Sequence, residues 1–128
     1  MTFSRAIVRT PGQSFANGLT ASATLGSPEI GLALAQHAAY CEGLRRCGLE
    51  VTVLPPDERF PDGTFVEDTA VITQRAAVAT RPGAPTRSGE VEVVAAALRQ
   101  FRPALEQIRS PGTVDGGDVC QVEDHFLI

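Results

Sequence analysis

The chain has 128 residues, of which 43% are hydrophobic and 20% are charged, a composition typical of one globular domain rather than of a disordered segment. Its 11 basic and 15 acidic side chains give a net charge of −4, and no basic stripe alternates with aromatic residues, which argues against a nucleic-acid partner. Since no apolar run approaches the roughly 18 residues of a membrane span, we also expect no membrane partner.

The N-terminus and the cysteines indicate the compartment. No extended apolar segment of the signal-peptide type opens the chain, and its three cysteines follow no disulfide pattern: Cys41, Cys47 and Cys120. We therefore expect a reducing, cytoplasmic location. All three thiols are interpreted as core side chains rather than as nucleophiles.

The first half of the chain predicts a strand, a long loop, a helix and a second strand. Residues 3–9 alternate apolar and polar side chains, whereas residues 10–28 are rich in turn residues without periodicity. Within that loop, Leu19 is the best candidate for an apolar contact with a ligand, and the alternative is a connection without function. Apolar residues then recur at helical spacing up to Gly48: Ile30, Leu34, Ala38, Cys41 and Leu44. A short buried strand is predicted at residues 51–54.

The second half predicts a hairpin, a helix and further strands. The hairpin turns at Gln74 and Arg75, a Pro/Gly loop covers residues 81–90, and a helix begins near Ser88. Its apolar face is formed by Val91, Val94, Ala95, Leu98 and Phe101. Strand structure restarts at Ile108.

An acid followed by two apolar strands occurs after Asp68 and again, fifty residues later, after Asp118. This offset predicts a modular α/β array with propeller-like closure. The last residues, 125–128, read as a strand, and so few modules would leave exposed sheet edges. We therefore expect a piece of a longer protein, or one that relies on a second copy or a completing chain.

Five acids lie in the segment LPPDERFPDGTFVED, residues 54–68, between two predicted strands: Asp57, Glu58, Asp62, Glu67 and Asp68. Carboxylates that are held in place and partly desolvated fit a guanidinium or ammonium group. Glu67 and Asp68 would point to opposite faces of a regular strand, so a site that uses both requires the strand to start or bend there. The alternative is a solvated acidic loop.

Three other features bear on chemistry. Asp115 precedes a Gly pair and could orient an imidazole or bind a substrate N–H, although Asp-Gly is also a common hairpin turn. Arg87 could pair with a substrate carboxylate. His37 and His125 form no metal-binding set and are interpreted as structural. No nucleotide-binding, serine-hydrolase or zinc-ribbon motif is present, so no cofactor is expected.

Four segments, in this order and at these separations, resemble the N-terminal half of the dimethylarginine dimethylaminohydrolase family, which belongs to the guanidino-group-modifying superfamily: RTPGQSFANGLT, LPPDERFPDGTFVED, RPGAPTRSGE and GTVDGGDV. The resemblance implies the pentein fold, a ring of ββαβ modules, here about two and a half of them. It also implies hydrolysis of Nω-methylated arginine to citrulline and a methylamine through a covalent cysteine intermediate.

The resemblance assigns a role to each matching position. Asp62, Glu67 and Asp68 match acids that line the substrate site, and Leu19 matches a loop residue that covers it. Arg87 matches an arginine that holds the amino-acid end of the substrate. In addition, Asp115 stands where the family has an acid beside the catalytic histidine, so it is expected to orient that histidine or the guanidinium.

The family's catalytic histidine and cysteine match no position in this chain. We therefore expect the 128 residues to be inactive alone. Two alternatives remain: a relative acting on arginine or another guanidine, and a non-catalytic pentein remnant that binds arginine-like ligands.

Overall fold

The computed structural model describes residues 3–123 and 125–128, and the chain divides into two units, Met1–Phe65 and Val66–Ile128. The first unit contains strand β1 (Arg5–Arg9), helix α1 (Ile30–Arg46) and strand β2 (Glu50–Leu54). β1 and β2 pair in parallel. The connection that contains α1 is the crossover that brings the chain back to the end of the sheet at which β1 begins. The two strands and the helix predicted for this half are confirmed, but the prediction that residues 51–54 are buried is wrong: none of them is buried, and 43% of the surface of Val53 is exposed.

Helix α1 begins after Pro28 and ends where Gly48 takes a left-handed φ of +84°. Two cations in its last turn, Arg45 and Arg46, are favourable at the negative end of the helix dipole. Of its predicted apolar face only Cys41 is buried, and Ala38 is exposed. The helix is therefore correctly predicted, whereas its burial is shallower than the sequence indicates.

The second unit contains strands β3 (Ala70–Ile72) and β4 (Ala77–Ala79), helix α2 (Glu90–Arg99), and strands β5 (Leu105–Gln107), β6 (Cys120–Val122) and β7 (His125–Leu127). β3 and β4 form the predicted antiparallel hairpin, and β5 joins β4 in parallel. β6 and β7 form a second antiparallel pair.

The core of the second unit lies between α2 and the sheet of β3, β4 and β5. Val91 and Ala95 of α2 pack with Ala79 of β4 and Leu105 of β5. Strand structure is expected to restart at Ile108, but β5 already ends at Gln107. Ile108 follows the strand and donates its N–H to the carbonyl of Ala79 at 2.9 Å.

The predicted repetition of α/β modules is visible within the two units. β4, α2 and β5 repeat the parallel crossover of β1, α1 and β2, and the hairpin β6–β7 repeats β3–β4. A short 3-10 turn precedes each hairpin, at Val66–Thr69 and at Gly116–Asp118. The α/β class is therefore confirmed. Within the described part of the chain, no helix has the length and apolar character needed to cross a bilayer.

Gly48 and Gly43 offer a matched test of the end of α1. Because an L side chain is strained at the φ of +84° found at Gly48, we expect Gly48→Ala to lower the free energy of unfolding by about 1–2 kcal/mol. Gly43 lies inside the helix, and an added methyl group would meet open space there, so Gly43→Ala should raise it by about 0.5–1 kcal/mol. Urea denaturation measures both; equal effects of the same sign would contradict this account.

Candidate functional site

Glu58 fastens the long loop of the first unit. Its carboxylate accepts the N–H of Gln13 and the N–H of Ser14, each at 2.8 Å. These two hydrogen bonds lower the pKa of Glu58. A Cβ at Gly12 would lie only 2.8 Å from Glu58 Oε1, so a glycine permits the close approach. Glu58 therefore holds the backbone of the loop in place, a role that was not predicted from the sequence.

Asp62 and Leu19, two of the predicted site residues, lie side by side in the first unit. The Leu19 N–H donates to both carboxylate oxygens of Asp62, at 3.0 and 3.1 Å. Asp62 is buried, whereas 63% of the surface of Leu19 is exposed. The carboxylate thus fixes the backbone of Leu19 while its side chain stays accessible.

Asp57 is paired with two arginines of the first unit. Arg59 contacts it through Nε at 2.9 Å and Nη2 at 2.7 Å, and Nη1 of the buried Arg9 lies 3.6 Å from Asp57 Oδ2. The hydrogen bond from Arg59 is the main reason that the pKa of Asp57 falls to about 2; burial opposes it. Asp57 is therefore engaged by the protein's own cations.

In the second unit, Glu67 and Asp68 lie in the 3-10 turn that precedes β3. This placement satisfies the requirement that both acids precede the regular strand. Asp68 Oδ1 accepts the N–H of Gly117 at 3.0 Å, and Oδ2 pairs with Nη1 of Arg87. Both oxygens of Asp68 are therefore oriented by neighbouring groups.

Arg87 is buried between two carboxylates. Besides Asp68 it contacts Glu90, the first residue of α2, through Nη2 at 2.7 Å. Burial disfavours the charged guanidinium, but hydrogen bonds with Glu90 and Asp68 outweigh this, so the pKa of Arg87 is raised. Glu90 is not among the site residues predicted from the sequence. Its spacing of three residues from Arg87, at the start of a predicted helix, is the signal that could have found it.

Glu67 is exposed, and no hydrogen bond or ion pair engages its carboxylate within residues 3–123 and 125–128. Asp115, half-buried, accepts the N–H of Gly83 at 2.9 Å. The second unit thus carries four carboxylates at its two 3-10 turns and at the start of α2, together with one buried guanidinium: Glu67, Asp68, Asp115, Glu90 and Arg87. Their excess negative charge favours a cationic ligand.

Gly116 lets the second 3-10 turn lie directly against the first. A Cβ at this position would collide with the carbonyl oxygens of Glu67 and Ala70. Because backbone atoms cannot move aside as a flexible side chain can, only glycine fits here without a shift. Gly116, the first residue of the Gly pair after Asp115, thus permits two backbone segments to approach closely.

The cysteines and histidines occupy other places. Cys41 is buried in α1 with its Sγ 3.7 Å from His37 Nδ1, as expected for a core thiol. Cys47 and Cys120 are exposed, so their assignment to the core is wrong. A depression of about 380 Å³ in the first unit is lined in part by His37 and Thr64 and by none of the predicted site residues.

No family model matches the chain. The N(G),N(G)-dimethylarginine dimethylaminohydrolase of Pseudomonas aeruginosa is 49% identical over 127 residues, which cover 98% of this chain and 50% of that protein. The protein of the same name from Streptomyces coelicolor is 37% identical over 128 residues, all of this chain and 50% of its own length. The chain thus spans about half the length of these curated relatives.

The structural neighbours agree. A solved structure of the Pseudomonas aeruginosa dimethylarginine dimethylaminohydrolase, a cysteine-to-serine variant complexed with citrulline, matches with a TM-score of 0.94 at 47% identity. The match covers 98% of this chain and 49% of that one. Nearly the whole chain is therefore similar, in sequence and in fold, to about half of a dimethylarginine dimethylaminohydrolase. The N-terminal domain of a cyanobacterial arginine dihydrolase matches with a TM-score of 0.79 at 16% identity over 92% of this chain and 44% of its own, and supports the fold alone. The pentein fold is thereby confirmed.

The pairing of Asp57 predicts an acid-dependent stability. Because its pKa falls from 3.8 to about 2 on folding, the stabilisation is present above about pH 4 and is lost as the pH falls toward 2. The difference in free energy of unfolding between the native chain and Asp57→Asn should therefore shrink over that range. Denaturation at several pH values measures it, with the exposed Asp118 changed to Asn as the control. A constant difference would contradict the assignment.

The collision at Gly116 predicts a local effect of an added methyl group. We expect Gly116→Ala to lower the free energy of unfolding by about 2 kcal/mol or more and to separate Gly117 from Asp68. Amide hydrogen exchange reports the second effect, since the Gly117 N–H should exchange faster. Gly43→Ala is the control, and unchanged protection of Gly117 would show that the two turns do not need to lie so close.

Proposed function

We propose that the chain is the substrate-binding part of an enzyme that hydrolyses Nω-methylated arginine to citrulline and a methylamine. The observation that carries this proposal is the match, over 98% of the chain and with a TM-score of 0.94, to a dimethylarginine dimethylaminohydrolase complexed with citrulline. In this proposal the 128 residues form the N-terminal part of a single pentein catalytic domain.

The proposed chemistry is nucleophilic attack on a resonance-stabilised cation. A cysteine thiolate attacks the guanidinium carbon, the methylamine departs with a proton supplied by a histidine, and water then cleaves the sulfur-linked intermediate to release citrulline and the thiol. We assign the thiolate and the imidazole to residues outside these 128. Burial inside α1 makes the Cys41 thiol inaccessible to a substrate, and the exposed Cys47 and Cys120 match no catalytic position of the family that the chain resembles.

The acids of the second unit are assigned to the guanidinium. Glu67 has an exposed carboxylate, and Asp68 is oriented at both of its oxygens, so each can face a planar cation. The resemblance gives Arg87 the carboxylate of the amino-acid substrate; because its buried guanidinium is held by Glu90 and Asp68, we assign it to orienting Asp68. Asp115, held by the Gly83 N–H, is assigned to orienting the histidine or the guanidinium.

In the first unit, Leu19 and Asp62 are assigned to substrate contact. Their direct hydrogen bonds support a shared role, because movement of either residue moves the other. We further assign the protein to the cytoplasm, where the exposed thiols of Cys47 and Cys120 persist in reduced form. A completing chain would supply the remaining catalytic groups, whereas a second copy of this chain, the other proposed partner, carries neither of them.

Glu67 provides the test of this function. The purified chain should bind asymmetric dimethylarginine in calorimetric titration and release no citrulline at an enzymatic rate. When it is co-expressed with the remaining half of the Pseudomonas aeruginosa relative, citrulline should form. Because one charged hydrogen bond contributes roughly 1.5–3 kcal/mol, Glu67→Gln should weaken binding about tenfold to a hundredfold.

Glu92→Gln, an exposed acid on α2, is the matched control and should bind as the native chain does. Absence of binding by the native chain would overturn the substrate assignment. Citrulline release by the isolated chain would overturn the assignment of the thiolate and the imidazole to other residues.

A further inference from the structure

We propose that Glu90 is a positioning residue: it fixes the guanidinium of Arg87 and keeps the charge beside Asp68 negative. This inference rests on the proposed function and assigns a role in ligand binding to a residue that the resemblance leaves without one.

Glu90 is a buried acid with one guanidinium partner. It opens α2 and is only 3% exposed. Its carboxylate accepts from Arg87 Nε at 3.1 and 3.2 Å and from Nη2 at 2.7 Å. Burying a carboxylate is unfavourable unless it is paired and hydrogen-bonded, and this pairing meets both conditions. The positive end of the α2 dipole also favours an acid there.

The pairing determines how Arg87 is presented. Arg87 ends the short turn Pro85–Arg87, so its long side chain needs contacts to fix its torsions. Glu90 occupies the edge of the guanidinium formed by Nε and Nη2, while Nη1 meets Asp68. Because the group is planar, contacts on two of its sides fix its plane.

The contacts form one continuous series. Glu90 holds Arg87, Arg87 holds Asp68 Oδ2, and Asp68 Oδ1 accepts the Gly117 N–H. An acid buried at the start of α2 is thereby connected to the turn that contains the proposed guanidinium ligands. Loss of the contact between Glu90 and Arg87 would let the Arg87 guanidinium rotate away from Asp68.

Charge gives Glu90 a second effect. Arg87 and Asp68 alone would cancel, whereas the two carboxylates with one guanidinium leave a net charge of about −1. Replacing Glu90 by Gln keeps the shape and an acceptor oxygen but removes this excess. A cationic ligand should then bind more weakly even where the fold is unchanged.

The test follows Arg87 and ligand binding separately. In the ¹⁵N-labelled chain, the Arg87 Nε–H signal is assigned by its loss in Arg87→Lys. Glu90→Gln should shift that signal, speed its exchange with water and weaken binding of asymmetric dimethylarginine about tenfold or more. Glu92→Gln should change neither the signal nor the affinity.

A double-variant cycle distinguishes action through Arg87 from a general loss of packing. If Glu90 acts through Arg87 as well as through its charge, Glu90→Gln should weaken binding much less in the Arg87→Lys background than in the native chain, because only the charge effect remains there. Additive losses would overturn the inference. Native-like affinity in Glu90→Gln, with the native chain binding, would also overturn it and leave the proposed function standing.

If the native chain binds no dimethylarginine, the proposed function fails, and the inference about ligand binding fails with it. The Arg87 Nε–H signal still reports whether Glu90 holds the guanidinium.

If Glu90→Gln does not fold, Glu90→Asp replaces it, because Asp keeps the charge and is one methylene shorter. Its Arg87 signal should shift and its affinity should fall; native affinity with a shifted signal would overturn the inference.

Discussion

Carboxylates that accept backbone N–H groups hold the irregular segments of both units in place. Glu58 and Asp62 do so for the long loop of the first unit, and Asp68 and Asp115 do so for the turns of the second. The N–H groups belong to a glycine or to a residue that follows one by one or two positions, where the missing Cβ permits the approach. Segments without a hydrophobic pattern thereby acquire fixed positions.

This use of acids changes the interpretation of the negative charge. An acidic loop indicates a cationic ligand only if its carboxylates remain available after the chain's own donors are satisfied. Asp57 is engaged by arginines and Glu58 by the loop backbone, which leaves fewer acids for a ligand than the sequence contains. Glu67 differs, because its carboxylate is exposed. Asp68 is itself engaged by Arg87 and by the Gly117 N–H, and with 20% of its side chain exposed it can meet a ligand only through the lone pairs that these donors leave open.

Local patterns predicted what depends on neighbouring residues. The spacing of apolar residues placed α1 and α2, and the turn at Gln74 and Arg75 placed the first hairpin, because periodicity and turn chemistry are properties of short segments. The partners of Glu58 and Asp62 could not be predicted, since their donors lie more than forty residues away.

The burial of several side chains could not be predicted from the sequence either. Cys47 and Cys120 have the small apolar character of core residues, yet both are exposed. The first follows the end of α1, and the second lies on a hairpin whose two strands are exposed. Glu90 departs from the usual behaviour in the other direction: an acid in the first turn of a helix is commonly exposed, whereas Glu90 is buried and paired with Arg87.

The contacts that position each candidate residue lie within one unit. Asp62 and Leu19 are held by one another inside residues 1–65, and the series from Glu90 to Gly117 is complete inside residues 66–128. A chain that spans half the length of its relatives can therefore carry oriented acids without borrowing donors for them. Under the proposed function, what must come from elsewhere is a thiolate and an imidazole, and the orientation of these carboxylates does not depend on them.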